Sequence, residues 1–250
     1  MTSEPIVSFT EPAAGVALVT MQDKANRNAF TCELIDGLTR TFAALGARSD
    51  LKAVILTGYD SYFSSGGTQQ GLRDLFDGTL TFTDRDLYSV ALSCPIPVVA
   101  AMQGHGVGGG FVMGLFADMT VLARESIYTA NFMKYGFTPG MGATFIMPEK
   151  LGTALAHEMM LSADTYRGEE LQRRGVPFPV LPREQVVPHA LEVARGLAEK
   201  PRASLVALKN HLCAPLRMRL PVFIEQEVAL HALTFKQAEV RERIETLFGH

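Results

Sequence analysis

Pro97-Val-Val-Ala-Ala-Met-Gln-Gly104-His-Gly-Val-Gly-Gly-Gly110 is a β-branched apolar run that dissolves into five glycines, and Phe111-Val-Met-Gly-Leu-Phe-Ala117 follows with helical character. A strand, a glycine turn and a helix start in that order present backbone N–H groups with no side chain to shield them, which suits a fixed or transient negative charge. The formal match Gly104-x-Gly106-x-x-Gly109, with Glu125 21 residues beyond Gly104, invites a dinucleotide reading. That fingerprint normally opens the first βαβ unit, whereas about a hundred residues precede it here. A second competing reading is purely structural: the glycines let a helix pack closely.

A second glycine-terminated strand changes the balance. Tyr62-Phe-Ser-Ser-Gly66-Gly67 ends in a double glycine, and helix-like residues begin at Gln69. Two N–H groups delivered from separate turns are what an oxyanion hole requires, since an enolate oxygen needs two convergent donors.

The rest of the chain sets this pair in an α/β frame. Ile6–Phe9 and Val16–Met21 read as an antiparallel pair, Phe30–Leu45 has helical spacing, and 53–57, 98–102 and 119–123 read as buried strands. Leu87–Leu92 reads as helix. Alternating strands and helices through residue 150 predict a largely parallel sheet. Beyond Leu151 the expected elements are helices over 151–162, 167–172, 184–199, 202–212 and 217–247, interrupted by Pro177, Pro179, Pro182 and Pro215. No internal repeat is legible.

Composition removes whole classes of function. The 250 residues are 47% hydrophobic with a net charge of −3, which suits one large core and leaves no basic footprint for nucleic acid. Cys32, Cys94 and Cys213 are distant, odd in number and outside any CxxC pair, so they are expected to be buried thiols without disulfide or metal. Met1-Thr-Ser-Glu-Pro5 lacks a signal pattern and no apolar stretch approaches membrane length, so a cytoplasmic protein with no membrane partner is expected.

Four segments, Phe63–Gly67, Ala101–Gly110, Ala117-Asp118 and Tyr135–Thr144, resemble the signature segments of the crotonase (enoyl-CoA hydratase/isomerase) superfamily across essentially the whole chain. The resemblance implies a spiral of ββα units over 1–195 and a helical region over 196–250 that builds a homotrimer or dimer of trimers. It also implies a thioester carbonyl held by the N–H groups of Gly67 and Gly109. The catalytic glutamates of the hydratases align with Val112 and Phe132, so both carboxylates are missing. Hydration needs such groups to position and deprotonate water, and it is not expected.

Ala130–Thr144, Tyr166-Arg-Gly168, Arg174–Phe178 and Ser204–Lys209 look more specifically like the decarboxylating homologues of polyketide β-branching cassettes. That likeness implies a 3-methylglutaconyl-type thioester on the phosphopantetheine of an acyl carrier protein, or on CoA, and no other cofactor. It assigns proton return to His231, on the apolar stripe Ile224, Val228, His231, Phe235. It places the substrate among Ala25, Ser65, Tyr88, Phe111, Val112 and Phe132, with His105 supporting the turn. The homologues carry a lysine after the first oxyanion turn, whereas 69–90 here holds Arg73 and Arg85 and no lysine. Two other readings remain: an enoyl-thioester isomerase with His231 as base, and a non-catalytic acyl-thioester binding subunit.

Overall fold

The computed structural model describes residues 5–80 and 87–248. An antiparallel pair, β1 (Val7–Ala13) and β2 (Val16–Met21), leads into α1 (Cys32–Ala47). Then β3 (Ala53–Thr57), β4 (Tyr62–Ser64) and α2 (Gln69–Asp77) form one turn of a spiral. After the short α3 (Val90–Ser93), β5 (Val98–Met102), β6 (His105–Val107) and α4 (Gly109–Leu115) form the next. A third turn has β7 (Met119–Ala123), β8 (Ile127–Thr129), a 3₁₀ turn at Asn131–Tyr135, α5 (Ala143–Leu151) and α6 (Thr153–Ser162). The chain closes with β9 (Thr165–Arg167), α7 (Gly168–Arg173), β10 (Val180–Leu181), α8 (Arg183–Ala198), α9 (Arg202–Thr234) and α10 (Ala238–Leu247).

The first strand of each turn joins a six-stranded sheet, β1-β2-β3-β5-β7-β10, and the second joins a four-stranded sheet, β4-β6-β8-β9. This strand–strand–helix recurrence is the repeat that the sequence conceals. The second strands are only three residues long and carry no alternation of their own, which is why 105–107 reads as part of the glycine turn and 127–129 falls in no expected element.

β3 and β5 are buried along their whole length because both faces of the large sheet are covered. Strand alternation sends Ala53, Ile55, Val99 and Ala101 toward Val186, Ala190 and Ala194 of α8, and Val54, Leu56, Val98 and Ala100 into the main core. The fully buried Tyr128 ties the two sheets together: its hydroxyl donates to the Met102 carbonyl at 2.8 Å and accepts the Ala123 N–H at 2.8 Å. Gln103 braces the same corner, its Oε1 accepting from Thr57 Oγ1 at 2.8 Å and Gly58 N–H at 3.2 Å.

α1 starts where Thr31 accepts the Leu34 N–H, and it buries Leu34, Leu38, Phe42 and Leu45 as the spacing requires. Residues 87–92 shorten to α3, at 90–93. Pro215 does not end a helix as expected. α9 runs unbroken through Pro215 and Pro221, and both rings sit on the exposed side of the helix. Cys94 and Cys213 are buried, while Cys32 at the head of α1 is exposed, contrary to expectation. No helix among the described residues is long and apolar enough to cross a membrane.

A buried cation fastens α9 to this frame. Lys209, 4% exposed, donates to the carbonyls of Ala91 (2.9 Å) and Ile96 (3.0 Å) and to Asp118 Oδ2 at 2.7 Å, an oxygen that also accepts the Val98 N–H. Lys209→Ala strands two carbonyls and a carboxylate, and is expected to lower the unfolding free energy by about 3–5 kcal/mol, read from urea denaturation. An unchanged midpoint would show that α9 is held by apolar packing alone.

Candidate active site

The glycine turns that end β4 and β6 meet. Gly66 sits at φ +78°, and a Cβ there would strike the Val107 carbonyl and fall 3.2 Å and 3.3 Å from the nitrogens of Gly109 and Gly110. Only glycine satisfies both the left-handed backbone and the approach. The 23–30 loop clasps the first turn: Phe30 N–H donates to the Gly66 carbonyl at 2.7 Å, Ser65 N–H to Arg27 at 3.1 Å, and Asn28 Nδ2 to Met21 and Phe63, each at 3.0 Å. In the second turn Gly108, at φ +53°, donates its N–H to Thr129 at 2.8 Å, and α4 begins at the next residue. The N–H groups of Gly67 and Gly109 have no acceptor among the described residues.

Both glycines line a cavity of about 700 Å³. Ala25 and Ser65 line it, as do the aromatic rings of Phe132, Tyr135 and Phe137. Phe137 stacks on Phe235 of the C-terminal helices at 4.3 Å between ring centroids, so α9 backs this wall. Burial pushes the Tyr135 phenol above its ordinary range, which keeps that ring neutral. No Asp or Glu lines the cavity among the described residues, and its cationic lining residues are Arg27 and Lys134. Beyond Gly67 and Met141 a smaller apolar pocket of about 100 Å³ opens between Phe30, Leu72, Leu75 and Leu87.

Three of the expected substrate contacts lie elsewhere. Phe111 and Val112 are fully buried; the first turn of α4 aims them beneath the sheets, where Phe111 packs on Tyr128 at 5.5 Å. Tyr88 is buried beside Phe116, 5.8 Å between rings, outside both cavities. Of the two arginines in the variable segment, Arg73 faces a separate crevice with Phe76 and Arg241, and Arg85 lies outside the described residues. Glu125 accepts the Arg183 N–H at 3.0 Å at the start of α8, which disposes of it as a ribose ligand.

His105 lines the cavity, and its Nδ1 accepts the Ile127 N–H at 3.0 Å, bracing β6 against β8 as expected. His231 does not line it. It is 7% exposed, lies behind Phe137 with ring centroids 6.5 Å apart, and its Nε2 is 2.9 Å from the Thr138 carbonyl. A carbonyl only accepts, so Nε2 carries a proton and the imidazolium adds its second proton at Nδ1. Burial pushes this imidazole below its ordinary pKa, against hydrogen bonds to Thr138 and Pro139 that pull upward.

Met141 was not anticipated. It lines both cavities, and a Cβ on Gly109 would fall 2.5 Å from its sulfur. Its backbone, at φ +63°, is left-handed without being glycine or asparagine, so no residue-type signal marks the turn.

Comparison with known proteins agrees with this geometry. The chain matches the enoyl-CoA hydratase/isomerase family over residues 11–248. It is 59% identical over 245 residues to the bacillaene synthase decarboxylase PksI of Bacillus subtilis, covering 98% of each chain. A solved structure from a dehydratase/decarboxylase enzyme couple involved in polyketide β-branching is 59% identical and superposes with a TM-score of 0.97, covering 98% of this chain and all of that one. The ECH2 decarboxylase domain of CurF from Lyngbya majuscula is 43% identical with a TM-score of 0.94, again over 98% of this chain and 100% of that chain. With its paired glycine turns and its two-sheet spiral, the chain belongs to the enoyl-CoA hydratase/isomerase family.

Proposed function

We propose that the protein is a decarboxylase of polyketide β-branching that acts on a 3-methylglutaconyl-type thioester carried on the phosphopantetheine of an acyl carrier protein. The observation that carries this reading is a pair of glycines with unsatisfied N–H groups, Gly67 and Gly109, that line one cavity whose described lining holds no carboxylate. Such a site can stabilise an oxyanion and cannot position water for addition.

The thioester oxygen would sit between the two N–H groups, each contributing about 3–4 kcal/mol to the transition state. The bond to the carboxylate carbon breaks, and its electron pair delocalises through the double bond onto that oxygen as a dienolate. Carbon dioxide leaves. A proton then returns to carbon; its proposed source is the His231 imidazolium behind Phe137, which must move to reach the cavity and which recovers a proton from solvent, so the reaction consumes one proton for each CO2 released. The apolar pocket past Gly67 is the proposed seat of the branched acyl end, where poor solvation of the carboxylate favours its loss. Ala25, Ser65 and Phe132 are the proposed substrate contacts. His105 is the second candidate donor because it lines the cavity, although its commitment to Ile127 favours a bracing role.

Exposed Arg27, on the cavity wall, offers a cation at the mouth for the phosphate of the carrier arm. A trimer is supported by exposed Leu208, Leu212, Met218, Val222 and Leu233 along α9, a row of apolar side chains that a second copy would cover.

Mass spectrometry of the purified protein with 3-methylglutaconyl and 3-methylcrotonyl thioesters tests the assignment. Loss of the mass of CO2 from the first is expected. A shifted double bond at constant mass would instead mark an isomerase, and no change in either would mark a binding subunit.

A further inference from the structure

The segment 138–144 joins the aromatic wall to α5 and carries Met141 at its centre. One face of α9 grips it at both ends, through residues spaced by 4 and 3. Glu227 Oε2 accepts the Gly142 N–H at 2.7 Å, and its Oε1 accepts the Thr144 N–H at 2.9 Å and the Thr144 hydroxyl at 2.6 Å. His231 Nε2 bonds the Thr138 carbonyl, and Thr234 Oγ1 lies 3.3 Å from Thr138 Oγ1. Glu227 is 2% exposed, so its carboxylate has left water for these three donors.

The backbone between the grips is strained. Met141 and Gly142 are both left-handed, at φ +63° and φ +73°, and a methionine does not adopt that region unless its surroundings impose it. A Cβ on Gly142 would fall 2.9 Å from both Leu220 and Phe116, so the segment is also pressed from behind. The imposed turn delivers the Met141 thioether to the Cα face of Gly109, beside Phe30. A helix cap alone would need neither the left-handed methionine nor its contact with a donor glycine.

We propose that Glu227 is a positioning residue for the reaction: by receiving the Gly142 and Thr144 N–H groups it holds Met141 in its strained turn, and Met141 fixes the direction in which the Gly109 N–H points into the cavity. This inference rests on the reading of Gly109 as an oxyanion donor. Its consequence is a chain of contact from the C-terminal helix to the reacting oxygen that involves no charged group at the oxygen itself.

The test combines kinetics with difference infrared spectroscopy of a bound 3-methylcrotonyl thioester labelled at the carbonyl, whose stretch falls as hydrogen bonds polarise it. Glu227→Gln should lower kcat roughly tenfold with KM within about twofold, and should move the carbonyl band back toward its position in water. Met141→Gly accepts the turn without strain and removes the thioether, so adding Glu227→Gln to it should cost nothing further in kcat. Should Glu227→Gln not fold, Thr144→Val removes one donor and is expected to change kcat and band in the same direction by less. A lower melting temperature with unchanged kcat and unchanged band would overturn the positioning role and leave Glu227 as a cap. The absence of any band shift in the wild-type protein would overturn the oxyanion reading, and the positioning role with it. A shifted band without CO2 release would sink decarboxylation, and the positioning role would then stand if Glu227→Gln moves that band and fall if it does not.

Discussion

Replacing Gly109 by alanine is expected to lower kcat for CO2 release by about 10²–10³-fold in a protein that still folds. The added methyl would fall 2.5 Å from Met141 Sδ and 2.7 Å from Phe30 Cε2, closer than a Cβ approaches its neighbours in folded proteins. Both neighbours are ends of side chains, so the fold survives by moving them, and the Met141 contact proposed to aim the donor N–H is lost. Gly67→Ala is the informative counterpart. A Cβ there meets only Leu72, at 3.7 Å, and the backbone is not left-handed. The N–H is retained and kcat should change by no more than roughly a factor of three. Equal effects at the two glycines would mean that bulk in the cavity, and not aim of a donor, governs the rate.

His231→Gln should lower kcat by about 10²–10⁴-fold, the ordinary contribution of a positioned proton donor. Glutamine is chosen because its amide N–H can still reach the Thr138 carbonyl, so a loss reports the missing imidazolium. Any further loss in His231→Ala reports the grip on 138–144. The sign of the pH dependence follows from burial. Because the folded pKa lies below the ordinary 6.5, the neutral ring predominates at pH 7, and the donating form accumulates only as pH falls below 6.5. The wild-type kcat should therefore climb toward acid over that window, and the climb should vanish in His231→Gln. A profile that vanishes in His105→Gln instead would transfer the role to the histidine that lines the cavity.

What the sequence disclosed and what it hid divide along a physical line. The two glycine turns were legible because only glycine tolerates the approach of Gly66 to Gly109, and because each glycine run follows strand-like residues, Tyr62–Ser64 and the buried Val98–Met102. The parallel sheet was legible from the apolar runs at 53–57 and 98–102, which only a sheet covered on both faces would carry. The short strands β6 and β8 were not, since three residues show no period, and with them went the repeat of the spiral. Position along a motif also misleads about direction. Val112 sits two residues past the glycines, yet the first turn of α4 carries it into the core. The absence of a carboxylate there was informative, while the expectation of a valine wall was not. Glu227 and Met141 escaped notice because their roles depend on a contact between α9 and a loop 83 to 85 residues away, which no local pattern encodes.

The central claim is that this cavity stabilises a dienolate formed by losing CO2. The most direct measurement is mass spectrometry of a 3-methylglutaconyl carrier-protein thioester turned over in D2O. The predicted product has lost CO2 and gained one deuterium on carbon, at a rate that collapses in Gly109→Ala. A product heavier by one water, or one of unchanged mass with a moved double bond, would contradict it.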